Sequence, residues 1–171
     1  MAKNSFFIRA QVNAGNASSF AQTEIDLGSY TNLGSSKPEV LRIHKVNVLM
    51  TDSTGLAVAI GTDKIANFGW QLTTQSQSAL VLMTDDSYIS GGMGCVRNPD
   101  GTDVIGGTQA FESQVLAQDF VNGYVVAVPS LFLGGFGGSD FSEDVIFSVM
   151  LECTTEAMSK ANAVALAVSQ Q

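Results

Sequence analysis

A single histidine, His44, is the whole imidazole inventory of the 171 residues. Metal centres in barrel enzymes converge several imidazoles on one ion, so one ring cannot build such a site. A serine–histidine–aspartate triad would have to draw on His44 within Ile43-His44-Lys45, and no Gly-x-Ser-x-Gly elbow accompanies it. His44 therefore reads as a structural or surface residue. The two cysteines, Cys95 and Cys153, allow at most one bridge, and Cys153 closes an apolar alternation, the setting of a buried thiol. Three acidic clusters could offer oxygen to a hard cation such as calcium: Asp85-Asp86, Asp100 with Asp103, and Asp140 with Glu143-Asp144. None has calcium-loop spacing, and carboxylates that cap turns are the default reading. The run Gly134-Gly135-Phe136-Gly137-Gly138 lacks the Gly-Lys-Ser/Thr ending and the strand-to-helix setting of a phosphate loop. Glycines around an aromatic residue instead let strands bend or a neighbouring backbone come close. Leu131 to Asp140 is thus a candidate contact between subunits, with a plain loop as the other reading. Asn16-Ala17-Ser18 is a formal glycosylation sequon, read as chance because no secretory signal is found. No catalytic, cofactor-binding or metal-binding residue is assigned, and no cofactor is expected.

The elements that must position these residues belong to a chain long enough for one domain with a real core. Hydrophobic residues make up 45%, but charged residues only 14%, well below the roughly 25% usual in globular domains. Serine, threonine, asparagine, glutamine and 17 glycines take their place. Charges are depleted at interface cores, so a surface of amides and hydroxyls suits one covered by neighbours. The net charge of −8, with 8 lysines and arginines, argues against direct nucleic-acid binding, which needs clustered cations on phosphate. The uncharged stretch from Phe120 to Ser139 has spanning length, yet Asn122, Pro129 and its glycines make it two strands and a turn. A protein that is soluble when made is expected.

Short apolar runs recur between turn residues along most of the chain. Strands are expected over Ser5–Val12, Phe20–Leu27, Glu39–Met50, Leu56–Ile60, Phe68–Leu72, Ala79–Thr84, Val115–Ala117, Gly123–Val128, Leu131–Phe136 and Glu143–Cys153. In Glu39–Met50 the apolar parity changes near His44-Lys45, which predicts a β-bulge or a change of packing environment. Val145, Phe147, Val149, Leu151 and Cys153 line one face of a half-buried strand. Ser90 to Gly107 looks the most irregular, with Gly91-Gly92 and Asn98-Pro99-Asp100-Gly101 as turn chemistry. Val-Leu-Met-Thr-Asp occurs at 48–52 and 81–85, read as two strands that end alike, with a pseudo-symmetric pair of hairpins as the sharper option.

Only the C-terminal part reads as helix, capped by Thr154 or Thr155, with Glu156 and Lys160 as an i,i+4 pair and a weak apolar stripe at Met158, Ala161, Val164, Ala165 and Val168. Without large side chains it must dock on its own barrel, a neighbour or a surface below. The fold class is all-β: a single jelly-roll or β-sandwich barrel over residues 1–154 with a short C-terminal α-helix in the tail, 155–171.

The order of these features resembles the single jelly-roll capsid proteins of tailless icosahedral viruses, particularly membrane-containing viruses of archaea and some bacteria. The resemblance is carried by Met1-Ala2-Lys3-Asn4, Val40-Leu41-Arg42-Ile43, and Gln75 to Asp86. It continues through Gly123-Tyr124-Val125-Val126, Leu131-Phe132-Leu133-Gly134, Val145 to Glu152 and the C-terminal helix. It spans nearly the whole chain and rests on architecture, without a diagnostic motif. It implies an upright barrel that forms hexameric or pseudo-hexameric capsomers in a virion, with room for a second capsid protein and for an underlying membrane. Many such proteins carry insertions or a second barrel, and this chain has length for one.

Function would then reside in surfaces shared with other copies of the chain. Phe132, Phe136, Met158, Val164 and Val168 are the candidate assembly residues. Deleting 155–171 is expected to impair assembly more than folding. Two other classes stay open. One is a filament, tail or accessory subunit, in which Ser5–Val12 could serve as a donated strand. The other is a small β-sandwich enzyme using carboxylates, which no titratable pair singles out.

Overall fold

The computed structural model describes residues 4–99, 104–105 and 109–170. Asp100 and Asp103 lie outside them, so one of the three acidic clusters has no structural account. Among the described residues there are eleven strands: β1 (Phe6–Gly15), β2 (Ala21–Asp26), β3 (Glu39–Thr51), β4 (Ala59–Ile60), β5 (Ile65–Thr73), β6 (Tyr88–Arg97), β7 (Val104–Ile105), β8 (Gln109–Val115), β9 (Tyr124–Val126), β10 (Ser130–Gly137) and β11 (Val145–Ala157). One helix, α1 (Lys160–Ser169), follows.

Two antiparallel sheets face each other, ordered β1-β11-β3-β9 and β2-β10-β5-β6-β8, with β4 and β7 as a small separate pair. The first strand lies beside the last, and the chain passes repeatedly from one sheet to the other. That is the double-sheet jelly roll expected from the strand texture. The core is the layer between the sheets, where Leu41, Ile43, Leu72, Leu131, Leu133, Phe147 and Leu151 are fully buried. Each such side chain contributes roughly 1.5–3 kcal/mol by leaving water.

β11 alternates as its sequence requires: Val145, Phe147, Val149, Leu151 and Cys153 are buried, and the residues between them are half-buried. β3 contains the parity change. Lys45 faces Glu152 and Ile43 faces Cys153, so His44 is the extra residue of a bulge, and both Ile43 and Val46 stay in the core.

Several expectations fail for identifiable reasons. Residues 79–84 form no strand. Gln71, buried on the outward side of β5, donates from Nε2 to the Ala79 carbonyl at 3.0 Å and accepts the Val81 N–H at 2.8 Å. One carboxamide thus gives that segment the pairing a strand would supply. The repeated pentapeptide is a repeated turn: Asp52 Oδ1 accepts the N–H and hydroxyl of Thr54, and Asp85 Oδ1 accepts those of Ser87. Its first copy ends β3 and its second lies in a loop, so no pair of related hairpins exists. Of the segment that looks irregular, Ser90 to Arg97 lies in the regular strand β6 with Gly91 and Gly92 inside it, and residues 100–103 and 106–107 lie outside the described residues. A Cβ on Gly92 would lie 2.7 Å from the Trp70 indole nitrogen.

The helix begins later than its composition suggests. β11 continues through Thr154 and Thr155 to Ala157, and Ser159 caps α1 by accepting the Asn162 N–H. Glu156 is therefore a strand residue that pairs with Arg42 at 2.6 Å, not with Lys160. α1 docks on its own barrel, where Ala163 is buried with Val40 and Ala127, and Leu33, Met158, Leu166 and Ala167 pack around them.

Candidate assembly surfaces

The residues able to do chemistry are dispersed by the fold. The His44 ring nitrogen Nε2 lies 2.9 Å from the Thr154 hydroxyl, across the ladder beside the bulge. Cys95 is half-buried on β6 and Cys153 is buried on β11, in different sheets, and both thiols are free. Burial, with the charge of Glu152, pushes the Cys153 thiol up to about 12. The Asp52 carboxyl is held below its ordinary value by the Thr54 hydroxyl and the Leu56 N–H, and that of Asp85 by Ser87. Asp140 pairs with Lys64 at 3.7 Å and Asp144 accepts from Asn13. These are turn and edge roles. Among the described residues no group of three His, Cys, Asp or Glu is placed to hold a metal ion. Among the described residues no helix is long and apolar enough to cross a membrane.

Apolar side chains on the outside are the feature that stands out. The sequence-derived candidates fall into two groups. Phe132 and Phe136 are half-buried on β10, a strand paired on both sides, by β2 and β5. The Leu131–Gly137 stretch is therefore neither loop nor bend. Phe132 faces Glu24 and Thr73 across the ladders, and Phe136 faces Gly69, whose missing side chain leaves room for that ring and for Leu80. Leu82, Met83 and Met93 extend this outer face as exposed apolar side chains. On α1, Val164 and Val168 are 53% and 64% exposed and face away from the barrel, whereas Met158 precedes the helix and packs against the barrel. The structure does not bring the two groups together. Phe132 and Phe136 sit on the five-stranded sheet, while α1 lies against β3 and β9 residues of the other sheet and its flanking turn.

Sequence reasoning missed a third surface. The connection from β8 to β9 passes from one sheet to the other through a 3-10 turn at Ala117–Asp119. Gln118 fastens it to β3, its Oε1 accepting the Val46 N–H at 2.9 Å and its Nε2 donating to the Val46 carbonyl at 3.0 Å. Beyond it Phe120 and Val121 project, and Val121 is fully exposed. The only signal in the sequence was the adjacency of two large apolar residues to Asn122-Gly123, a turn pair. A shallow trough of about 530 Å³ also lies on the outer face of the four-stranded sheet, between Arg9, Gln11, Asn47, Leu49, Ser148 and Met150.

No family model matches the chain, and no curated protein matches it. Among solved structures it is similar to VP1 of human polyomavirus 12 in complex with 3'-sialyllactosamine, at 8% identity and a TM-score of 0.49, over 91% of this chain and 100% of that one. It is also similar to VP1 of Trichodysplasia spinulosa-associated polyomavirus in complex with sialylated precision glycooligomers, at 10% identity and 0.47, over 90% and 94%. A third is the Merkel cell polyomavirus VP1 unassembled pentamer, at 5% identity and 0.44, over 91% and 96%. Likeness at these scores assigns no role to any residue here.

Proposed function

We propose that this chain is a non-enzymatic virion subunit, a single jelly roll that builds a closed capsid shell by packing against copies of itself. The observation that carries the reading is the outer surface: large apolar side chains stand exposed on several of its faces in a chain with few charges. Phe7, Leu49, Leu82, Met83, Met93, Val121, Val164 and Val168 are all exposed. Scattered apolar residues are normal on monomers, but clusters held on fixed strands and turns suit permanent contact. Phe132, Phe136, Val164 and Val168 remain assembly candidates on two separate faces.

The jelly roll also serves lectins and cupins. The cupin arrangement needs imidazoles that this chain lacks, and the described loops carry no calcium cluster of the kind a lectin would use. Direct nucleic-acid binding has no support: Arg42, Lys64 and Arg97 are paired with Glu156, Asp140 and Asp63. A filament built by strand donation is disfavoured because β1 is already paired with β11 from Phe6 to Gly15. Icosahedral symmetry, a second capsid protein and an underlying membrane rest on the sequence resemblance alone.

Size-exclusion chromatography with light scattering, followed by negative-stain microscopy, tests the proposal. Rings or shells are expected. A monomer that persists at high concentration, or open fibres, would refute it. Lipid or a second polypeptide in purified particles would test the finer parts.

A further inference from the structure

β1 and β2 each end a sheet, with β11 and β10 as their single ladder neighbours. Unpaired strand edges are templates for further association unless they are covered. Between these two edges runs a groove of about 490 Å³, whose floor and walls include Phe7, Ile8 and Tyr30. Glu24 and Asp26 stand on its β2 side, and Arg9 on its β1 side, its guanidinium 5.7 Å from the centre of the Phe7 ring.

The opposite ends of the two sheets are β9 and β8, joined by the crossover that carries Phe120 and Val121. This tip is pinned from several directions. Gln118 makes two bonds to Val46, the Asp119 carboxylate accepts the Leu116 N–H at 3.0 Å, and the Gly123 N–H donates to the Phe120 carbonyl at 3.1 Å. Arg42 also donates to the Asn122 carbonyl. Gly123 adopts φ +62°, and a Cβ there would meet the Ile43 carbonyl oxygen, so only glycine closes the turn. On this ordered turn Val121 is fully exposed and Phe120 half exposed, which leaves the apolar tip free for a partner. The cleft beside the tip is lined by Arg42, His44 and Lys45, and its lining holds no carboxylate.

We propose that the Phe120–Val121 tip of one copy seats in the β1/β2 groove of the next. In that contact Lys45 approaches Glu24 and Asp26, while the apolar tip packs on Phe7, Ile8 and Tyr30. This rests on the shell reading and specifies one of its contacts. Tip and groove lie on opposite sides of the sandwich, so the contact is heterologous and repeats head to tail, closing a ring when the rotation per subunit allows. The charges set register and pairing, and the buried tip supplies most of the affinity.

Full-length variants test it. Val121→Asp and Lys45→Glu should each raise the concentration needed for assembly about tenfold or more, with unchanged circular dichroism. Lys45→Glu combined with Glu24→Lys in one chain should recover much of that loss. Variants that assemble like the unmodified chain would overturn the contact and leave the shell reading standing. An unmodified chain that stays monomeric would overturn both. Cross-linking gives a measurement independent of variant stability. With Cys95→Ser as background, a chain carrying Val121→Cys and Thr23→Cys should form a ladder of disulfide-linked oligomers on oxidation, and absence of the ladder in assembled particles would overturn the contact.

Discussion

The carboxamide of Gln170 is bonded to Ala127 as a strand would be. Its Oε1 accepts the Ala127 N–H at 3.0 Å while its Nε2 donates to the Val125 carbonyl at 2.6 Å. The Gln170 carbonyl in turn accepts from the Thr74 hydroxyl at 2.6 Å. One buried residue therefore ties the end of α1 to β9 through its side chain and to the loop after β5 through its carbonyl. Gln118 does the same for the crossover at Val46, and Gln71 for the segment over β5. Three glutamines thus supply paired backbone bonds where no strand is available, and so satisfy groups that would otherwise be costly.

Gln170→Ala removes both bonds and leaves the Val125 and Ala127 groups beneath the helix. A loss of roughly 2–3 kcal/mol is expected, read as a lower urea midpoint with an unchanged slope. Gln170→Glu should be comparably damaging at neutral pH, because a carboxylate cannot donate to Val125.

Removal of residues 155–171 now has a different expected outcome from that of a free helix. It deletes the last three residues of β11, the Glu156 partner of Arg42, and the cover over Val40 and Ala127. Thermal unfolding should show a clear loss of stability as well as loss of assembly. Val164→Asp with Val168→Asp, on the exposed face, should leave the melting temperature nearly unchanged and so isolate the outer face's share in assembly.

Gly135→Ala should be destabilising by about 1–3 kcal/mol. Its Cβ would sit 2.8 Å from the Gly69 carbonyl oxygen and 2.9 Å from the Phe147 ring, inside the packed core. Gly34→Ala meets only the Asn32 side chain, at 3.9 Å, and should be nearly neutral. Equal effects of the two would contradict the packing described for β10.

Cys153 is protected as well as buried. Its thiol titrates near 12 in the fold against an ordinary 9.0, so the folded state holds its proton more tightly. The associated stability is fully present below about pH 9 and is lost as the pH rises towards 12. Cys153→Ala should flatten that alkaline decline in stability. A thiol reagent at pH 8 should modify the half-buried Cys95 and reach Cys153 only after denaturation.

Asp52 has the opposite sign. Hydrogen bonds from Thr54 and Leu56 depress its carboxyl, so its stabilisation is present above the ordinary 3.8 and is lost as the pH falls through the lower folded value. Thr54→Ala should lower the melting temperature at pH 7 and have little effect near pH 2.

The sequence by itself determined the class of fold and the inward face of its clearest strands. Strict alternation in Val145–Cys153 places one face inward because successive side chains point to opposite sides of a sheet, and the parity change at His44 marks a bulge or a change of packing environment, of which the structure shows the bulge. What it could not determine was anything that depends on which surface lies above which. The apolar run at 79–84 reads as a strand until Gln71 is seen to hold it. Gly91 and Gly92 read as turns until Tyr88 and Trp70 are seen to fill their space. Glu156 reads as helical until Arg42 is seen to pair with it. Phe120 and Val121 lie ahead of the strand expected from Gly123, and only the crossover shows that they turn outward. Periodicity is local and survives in one dimension, whereas partners more than a hundred residues apart are chosen by the packing of the two sheets, and that choice belongs to the tertiary structure.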